Sequence, residues 1–132
     1  MKMLIVEDDF TSRMILIRIL QAYGETSVAG NGKEAVALFG RALELGTAYD
    51  LVCLDIMLPE MDGQSVLREI RSLEAAREKP GKPARVIMTT ALNDKDNVVS
   101  AIQKCDAYLV KPVDKKRLLA HLQEFGLLPA AN

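Results

Sequence analysis

Cysteine is scarce in this chain. Cys53 sits inside an apolar run and Cys105 beyond a predicted helix, with neither metal-ligand spacing nor a disulfide-rich context, so both read as buried or inert thiols. There is one histidine, His121, between Leu118 and Leu122 of a predicted helix, and it is expected to be partly exposed and without a catalytic role. An excess of one charge is also missing. Seventeen basic residues face 18 acidic ones for a net of −1, which leaves no overall field favouring nucleic acid or an anionic membrane. No apolar run approaches the ~20 residues of a membrane span. The opening "MKMLIVEDD" turns acidic too early for a signal peptide, and there is no repeat or low-complexity tract. The expectation is a cytoplasmic protein. Against these absences, 132 residues that are 49% apolar can form one domain with a real core.

Five short apolar runs read as strands: 3–6 (MLIV), 27–29 (SVA), 51–54 (LVCL), 85–89 (RVIMT) and 107–110 (AYLV). The first and third lack polar alternation, as expected of strands covered on both faces, and helical periodicity separates all five. The expected fold is α/β with a parallel sheet. A first helix after Thr11 or Ser12 stripes Leu16, Ile19, Leu20 and Tyr23, and a second, starting near Asn31, stripes Ala35, Val36, Phe39 and Leu43. Asp62, then Asn93 or Asp94, then Asp114 are natural N-caps for three more helices. Residues 75–84, with two prolines and a glycine, read as a surface loop.

In open parallel sheets the ligand site lies beyond the carboxyl ends of the strands. Glu7, Asp8 and Asp9 follow the first strand, Asp55 the third, Thr89 and Thr90 the fourth, and Lys111 the fifth. Carboxylates converging there would repel and resist ionising unless a cation sat among them. An oxygen-only ligand set suits a hard divalent ion such as Mg²⁺, which takes one or two carboxylates together with a phosphate oxygen. Lys111 can then offset charge on a phosphoryl group and the Thr90 hydroxyl can donate to it, a set that matches phosphoryl transfer with Asp55 as nucleophile. An acidic residue after a strand also commonly does no more than cap the next helix, and Asp9 is read that way.

These residues closely resemble the receiver domain of bacterial two-component response regulators, in the single-domain form typified by the chemotaxis regulator. The likeness spans residue 2 to about 126. It rests on "LIVEDD", on "LDIMLPEMDG" with Pro59 and Gly63 at the family's distances, on "TTA" after the fourth strand and on "YLVKP" after the fifth. The resemblance implies a flavodoxin-like (βα)5 sandwich with strand order 2-1-3-4-5 and helices on both faces, occupying residues 1–126 with a short tail at 127–132. It implies that Asp55 accepts a phosphoryl group from a sensor histidine kinase or histidine phosphotransfer protein. Asp8 would bind Mg²⁺ (or Mn²⁺) directly and Glu7 through water, with Asp55 and the Met57 backbone carbonyl completing the set. Lys111 would contact the phosphoryl group, the Lys111–Pro112 peptide would be cis, and Thr90 and Tyr108 would form the switch. In the family, side chains two past the aspartate and two past the threonine flank the path of the hydrolytic water. Here they are Met57 and Leu92, both bulky and apolar, so a long-lived phosphoryl-aspartate is expected. Where many receivers carry glycine before the fifth strand, this chain has Lys104, which would strain a left-handed helix terminus.

Met14, with Ile15 and Ile17 on its flanks, is expected on the outer side of the first helix, and by the family's example Met14 and Ile15 would dock the phosphodonor. Output, or a homodimer, would use the face made by the fourth predicted helix, the fifth strand and the last helix. No DNA-binding element is expected past residue 126, so an effector protein or onward relay would read the signal. The chain would catalyse only its own phosphorylation and slow dephosphorylation. A phosphoaspartyl hydrolase of the haloacid dehalogenase type would want a second aspartate where Met57 stands. A flavin-binding module would want a Ser/Thr/Gly-rich phosphate loop after the first strand.

Overall fold

The computed structural model describes residues 1–78, 81–91 and 105–129. The apolar runs become five parallel strands: β1 (Lys2–Val6), β2 (Glu25–Ala29), β3 (Leu51–Asp55), β4 (Arg85–Thr90) and β5 (Ala107–Val110), in the order β2-β1-β3-β4-β5. Between them run α1 (Phe10–Leu20), α2 (Gly32–Glu44) and α3 (Gly63–Ala75), and a C-terminal helix follows at Lys115–Glu124. The segment expected to form a helix after Asn93 or Asp94, with Leu92 and Lys104, lies outside the described residues.

Strand alternation divides the core in two. Leu4, Val6, Val52, Leu54, Val86 and Met88 face α2 and α3, where Ala35, Phe39, Val66, Leu67 and Ile70 cover them. Met3, Ile5, Leu51, Cys53 and Ile87 face the other way, onto Leu16 and Leu20 of α1 and Leu118 and Leu122 of the C-terminal helix. Successive strand residues point to opposite faces, so a strand buried on both sides has no position left for a polar side chain until it ends. The first polar positions past β1 and at the end of β3 are Glu7 and Asp55. Because β1 pairs with both β2 and β3, strand order reverses beside it, which opens the crevice where these two residues emerge.

Caps set the helix starts. Asp9 accepts the Ser12 N–H at 2.8 Å, so α1 begins at Phe10, ahead of the Thr11 or Ser12 start expected from the sequence. Asn31, Asp62 and Asp114 accept from Glu34, Ser65 and Arg117 at 2.8, 2.8 and 3.1 Å, satisfying N–H groups with no helical partner. Ile17, expected on the outer flank of α1, packs against the sheet-side core instead, because α1 lies close enough to bury a wider stripe. Packing also runs past residue 126. Gly126 takes φ +75°, and Leu127 and Leu128 donate to the Leu122 carbonyl and pack against the same core.

The loop from Asp55 to α3 is built around Gly63. Its N–H donates to the Ile56 carbonyl at 2.9 Å. A Cβ there would overlap the Asp55 carbonyl oxygen and stand 2.8 Å from Ile56 Cα, both of them backbone atoms that cannot swing aside. Gly63→Ala is therefore expected to lower stability by roughly 1–3 kcal/mol, as overpacking does, measured by urea denaturation. Retention of the parent midpoint would show that the loop can shift without cost.

Candidate functional site

Three hydrogen bonds fix the backbone just beyond the strand ends. Glu7 N–H donates to Ala29 O at 3.1 Å, Ile56 N–H to Thr89 O at 3.0 Å and Lys111 N–H to Thr90 O at 2.7 Å. The residues at the ends of β1, β3 and β5 are thus held in register with their neighbours, and their side chains meet. Lys111 Nζ lies 2.9 Å from Asp55 Oδ2 and 2.8 Å from Glu7 Oε2. Asp55 Oδ1 accepts the Met57 N–H at 3.0 Å, and Glu7 Oε1 accepts the Asp9 N–H at 3.2 Å. Glu7 is fully buried and Asp55 nearly so, whereas Asp8 is exposed at the mouth.

The carboxylate oxygens of Glu7, Asp8 and Asp55 can all lie within 4.8 Å of one another. Burial pushes the Glu7 carboxyl up to about 7; Lys111 works against this and the Asp55 charge adds to it. Burial also disfavours the Lys111 ammonium, but hydrogen bonds and charge from Glu7 and Asp55 outweigh it and raise its pKa. Counted as formal charges, three carboxylates against one ammonium leave an excess of two, and a cation entering the cleft favours the ionised form of Glu7 over the protonated one that burial promotes. The carboxylate oxygens are hard donors with no sulfur or imidazole among them, and the residues present fit a small divalent cation of the Mg²⁺ type.

The other expected site residues take distinct places. Thr90 is buried with its hydroxyl turned back to the Ala91 carbonyl at 3.2 Å. Tyr108 is 41% exposed, so its ring stands outside the core. The Lys111–Pro112 peptide is cis. Met57, expected to screen water, is exposed beside Asp55. Met14 and Ile15 are half-buried, and Ile15 lines a cavity of about 230 Å³ that reaches Glu7, Thr89 and Lys111. The Thr89 hydroxyl on its wall is buried without a hydrogen-bond partner among the described residues. His121 is half-buried, its Nδ1 3.5 Å from Glu124, far from this rim on the last helix.

Two features went unread in the sequence. Arg13 places its guanidinium over the Phe10 ring, 5.7 Å from the centroid, with Nη1 3.5 Å from the Glu7 carbonyl; the only signal was a basic residue in the first turn of a helix. Glu74 is buried at the end of α3, bonded to Ala84 N–H at 2.7 Å and to Arg71 at 2.6 Å. Arg71 also reaches Asp106, which accepts from Val86 N–H and Arg85. The signal there was a carboxylate four residues after Ile70, on the apolar face. This network ties α3 to the amino ends of β4 and β5 and has no part in the acidic cleft.

A doubly wound sheet with an acidic crevice and a lysine at the switch point defines the class, and comparison supplies the family. Residues 3–123 match the response regulator receiver domain. The chain is 36% identical over 121 residues to the chemotaxis protein CheY of Bacillus subtilis, covering 89% of this chain and 91% of that one. It is 38% identical over 125 residues to the probable transcriptional regulatory protein SilR of Salmonella typhimurium, covering 93% of this chain and 50% of that one. The chain thus spans about half the length of several of the curated relatives it matches. Among solved structures, a response regulator receiver domain protein from Clostridium thermocellum superposes with a TM-score of 0.76 at 26% identity, covering 94% and 92% of the two chains. The receiver domain of the sensor histidine kinase PA1611 from Pseudomonas aeruginosa, solved with a magnesium ion coordinated in its active-site cleft, gives 0.74 at 28% identity, covering 94% and 95%. The chain belongs to the response regulator receiver domain family, and its function is that of a phosphorylatable receiver in two-component signalling.

Charge repulsion in the cleft makes a prediction. Asp8→Asn removes one of three clustered carboxylates, so without Mg²⁺ it is expected to stabilise the fold by about 1 kcal/mol, the scale of a near-surface charge pair. In the parent, Mg²⁺ at ten times its Kd should add about 1.4 kcal/mol. Thermal denaturation with and without Mg²⁺ checks both; an Asp8→Asn protein that responds to Mg²⁺ as the parent does would place the ion elsewhere.

Proposed function

We propose that Asp55 is the phosphoacceptor and that Glu7, Asp8, Thr90 and Lys111 are the machinery around it. The observation that carries this is the single ammonium of Lys111 bridging Asp55 and Glu7 in a nearly dry cleft. Glu7, Asp8, Asp55 and the Met57 carbonyl would hold Mg²⁺ (or Mn²⁺), which when bound neutralises excess carboxylate charge and draws a phosphate oxygen into the site. A carboxylate oxygen of Asp55 attacks phosphorus in line, an O–P bond forms, and the P–N bond to the donor histidine breaks with its electron pair leaving on the imidazole. Lys111, held by its own backbone bond to Thr90, stays beside the transferred group and offsets its charge. The Thr90 hydroxyl, now on the Ala91 carbonyl, is one rotamer change from a new acceptor on that group.

That change is the basis of the switch. Once Thr90 turns towards the phosphoryl group, space opens behind it for Tyr108, whose ring now stands exposed on β5. The face read by partners then changes at β5 and the C-terminal helix. The donor is a sensor histidine kinase or phosphotransfer protein docking at Met14 and Ile15; the reader is an effector protein or a second copy, with no direct contact to DNA. The receiver unit occupies residues 1–126, with the remaining residues as a short tail, and it works in the cytoplasm. No described helix is long and apolar enough to cross a membrane, and both cysteines are free. The chain's only chemistry is its own phosphorylation and slow dephosphorylation.

Incubation with acetyl phosphate and Mg²⁺ is expected to add one phosphoryl group, seen as a mass increase, in the parent and not in Asp55→Asn. Equal modification of the variant would remove Asp55 from the mechanism. Met57 sets the lifetime: its apolar side chain at the mouth gives water no hydrogen bond. Met57→Asn is expected to speed loss of the phosphoryl group several-fold, about 1 kcal/mol of barrier. An unchanged decay rate would show that Met57 does not govern access.

A further inference from the structure

Arg13 is a cation that the chemistry above does not use. It sits in the first turn of α1, where positive charge opposes the helix dipole, so helix stability does not explain it. Its guanidinium is held from two sides, by the Phe10 ring at 5.7 Å and the Glu7 carbonyl at 3.5 Å. Phe10 itself is 66% exposed, an aromatic left in water whose one described ring contact is to this arginine. Among the described residues Arg13 makes no ion pair, although it follows Glu7, Asp8 and Asp9 closely in the chain.

The charge balance of the cleft gives such a cation a purpose. Glu7, Asp8 and Asp55 against Lys111 leave an excess of two negative charges, which a divalent ion brings to zero. A phosphodonor arrives with close to two negative charges of its own and would meet no attraction. Asp9, whose carboxylate caps the α1 N-terminus, adds to that negative charge. We propose that Arg13 is the anion-receiving residue of the site. Stacked on Phe10 beside the Glu7 carbonyl, it offsets negative charge at the metal-loaded cleft and offers N–H groups to an oxygen of the incoming phosphoryl dianion. A planar guanidinium with several donors suits that task better than a second lysine.

The inference rests on the phosphotransfer reading and is tested by two quantities, Mg²⁺ affinity and phosphorylation rate, that must move in opposite directions. Arg13→Gln keeps a donor for the Glu7 carbonyl and most of the stem while removing the charge. Titration calorimetry with Mg²⁺ alone should show a Kd lowered about two- to threefold, because a repelling cation has gone. The rate of phosphorylation at low acetyl phosphate should fall roughly three- to tenfold, the effect of one exposed charge on a dianion. Arg13→Lys should recover both in large part. A fall in both quantities would mean structural damage and would overturn the proposal, as would an unchanged donor dependence in the Gln variant. If the parent showed no Asp55-dependent phosphorylation, the phosphotransfer reading would fall and this one with it. A parent that is phosphorylated alongside an indifferent Gln variant overturns the role of Arg13 alone.

Discussion

Lys111 stands between two carboxylates that have almost no contact with water, and the rest of the functional end of the molecule is arranged around that contact. Separately, neither Glu7 nor Asp55 could stay charged at its depth without cost. Together they hold one ammonium at 2.8 and 2.9 Å and remain one positive charge short of balance, before Asp8 is counted. An excess of negative charge in a desolvated cleft is unfavourable for the fold alone. That excess suits the residues to a small divalent cation, whose charge offsets it.

The backbone makes that contact possible. Lys111, Asp55 and Glu7 come from three strands and lie as much as 104 positions apart in the sequence. Each is placed by a strand end that hydrogen-bonds one residue beyond its neighbour, at Ala29, Thr89 and Thr90. Gly63 lets the loop after Asp55 close against the Asp55 carbonyl, so Asp55 is held from behind by main chain. Near this cleft Phe10 and Met57 are exposed and Arg13 is half-buried.

Much of this was legible in advance because burial on both faces leaves a clear signature. β1 and β3 show unbroken apolar runs, each ended by a carboxylate, and Asn31, Asp62 and Asp114 announce helix starts that the structure keeps. The misses come from local ambiguity. The sequence offers Asp9 as a cap and also Thr11 or Ser12 as the residue before the first helix, and the side-chain bond from Asp9 to the Ser12 N–H decides for the reading of Asp9 as the cap. Ile17 looks peripheral on a helical projection, yet it is half-buried against the core under α1. Leu127 and Leu128 come after a glycine and resemble a loose end, but the positive φ of Gly126 turns them back onto Leu122. Glu74 is buried and Arg71 half-buried beside it, and a single chain read along its length gives no sign that Ala84 and Asp106 will meet them.

The sequence by itself determined the class of fold, the parity of each strand and the kinds of polar group delivered to the carboxyl edge of the sheet, because these depend on local period and on the residue that ends each apolar run. Only the tertiary structure decided which of those groups touch. That Lys111 bridges Glu7 and Asp55, that Asp8 comes together with both of them, and that Arg13 lies over Phe10 are matters of strand order, register and depth. No spacing encodes them, since a charge acquires its partner and its desolvation only when distant segments pack.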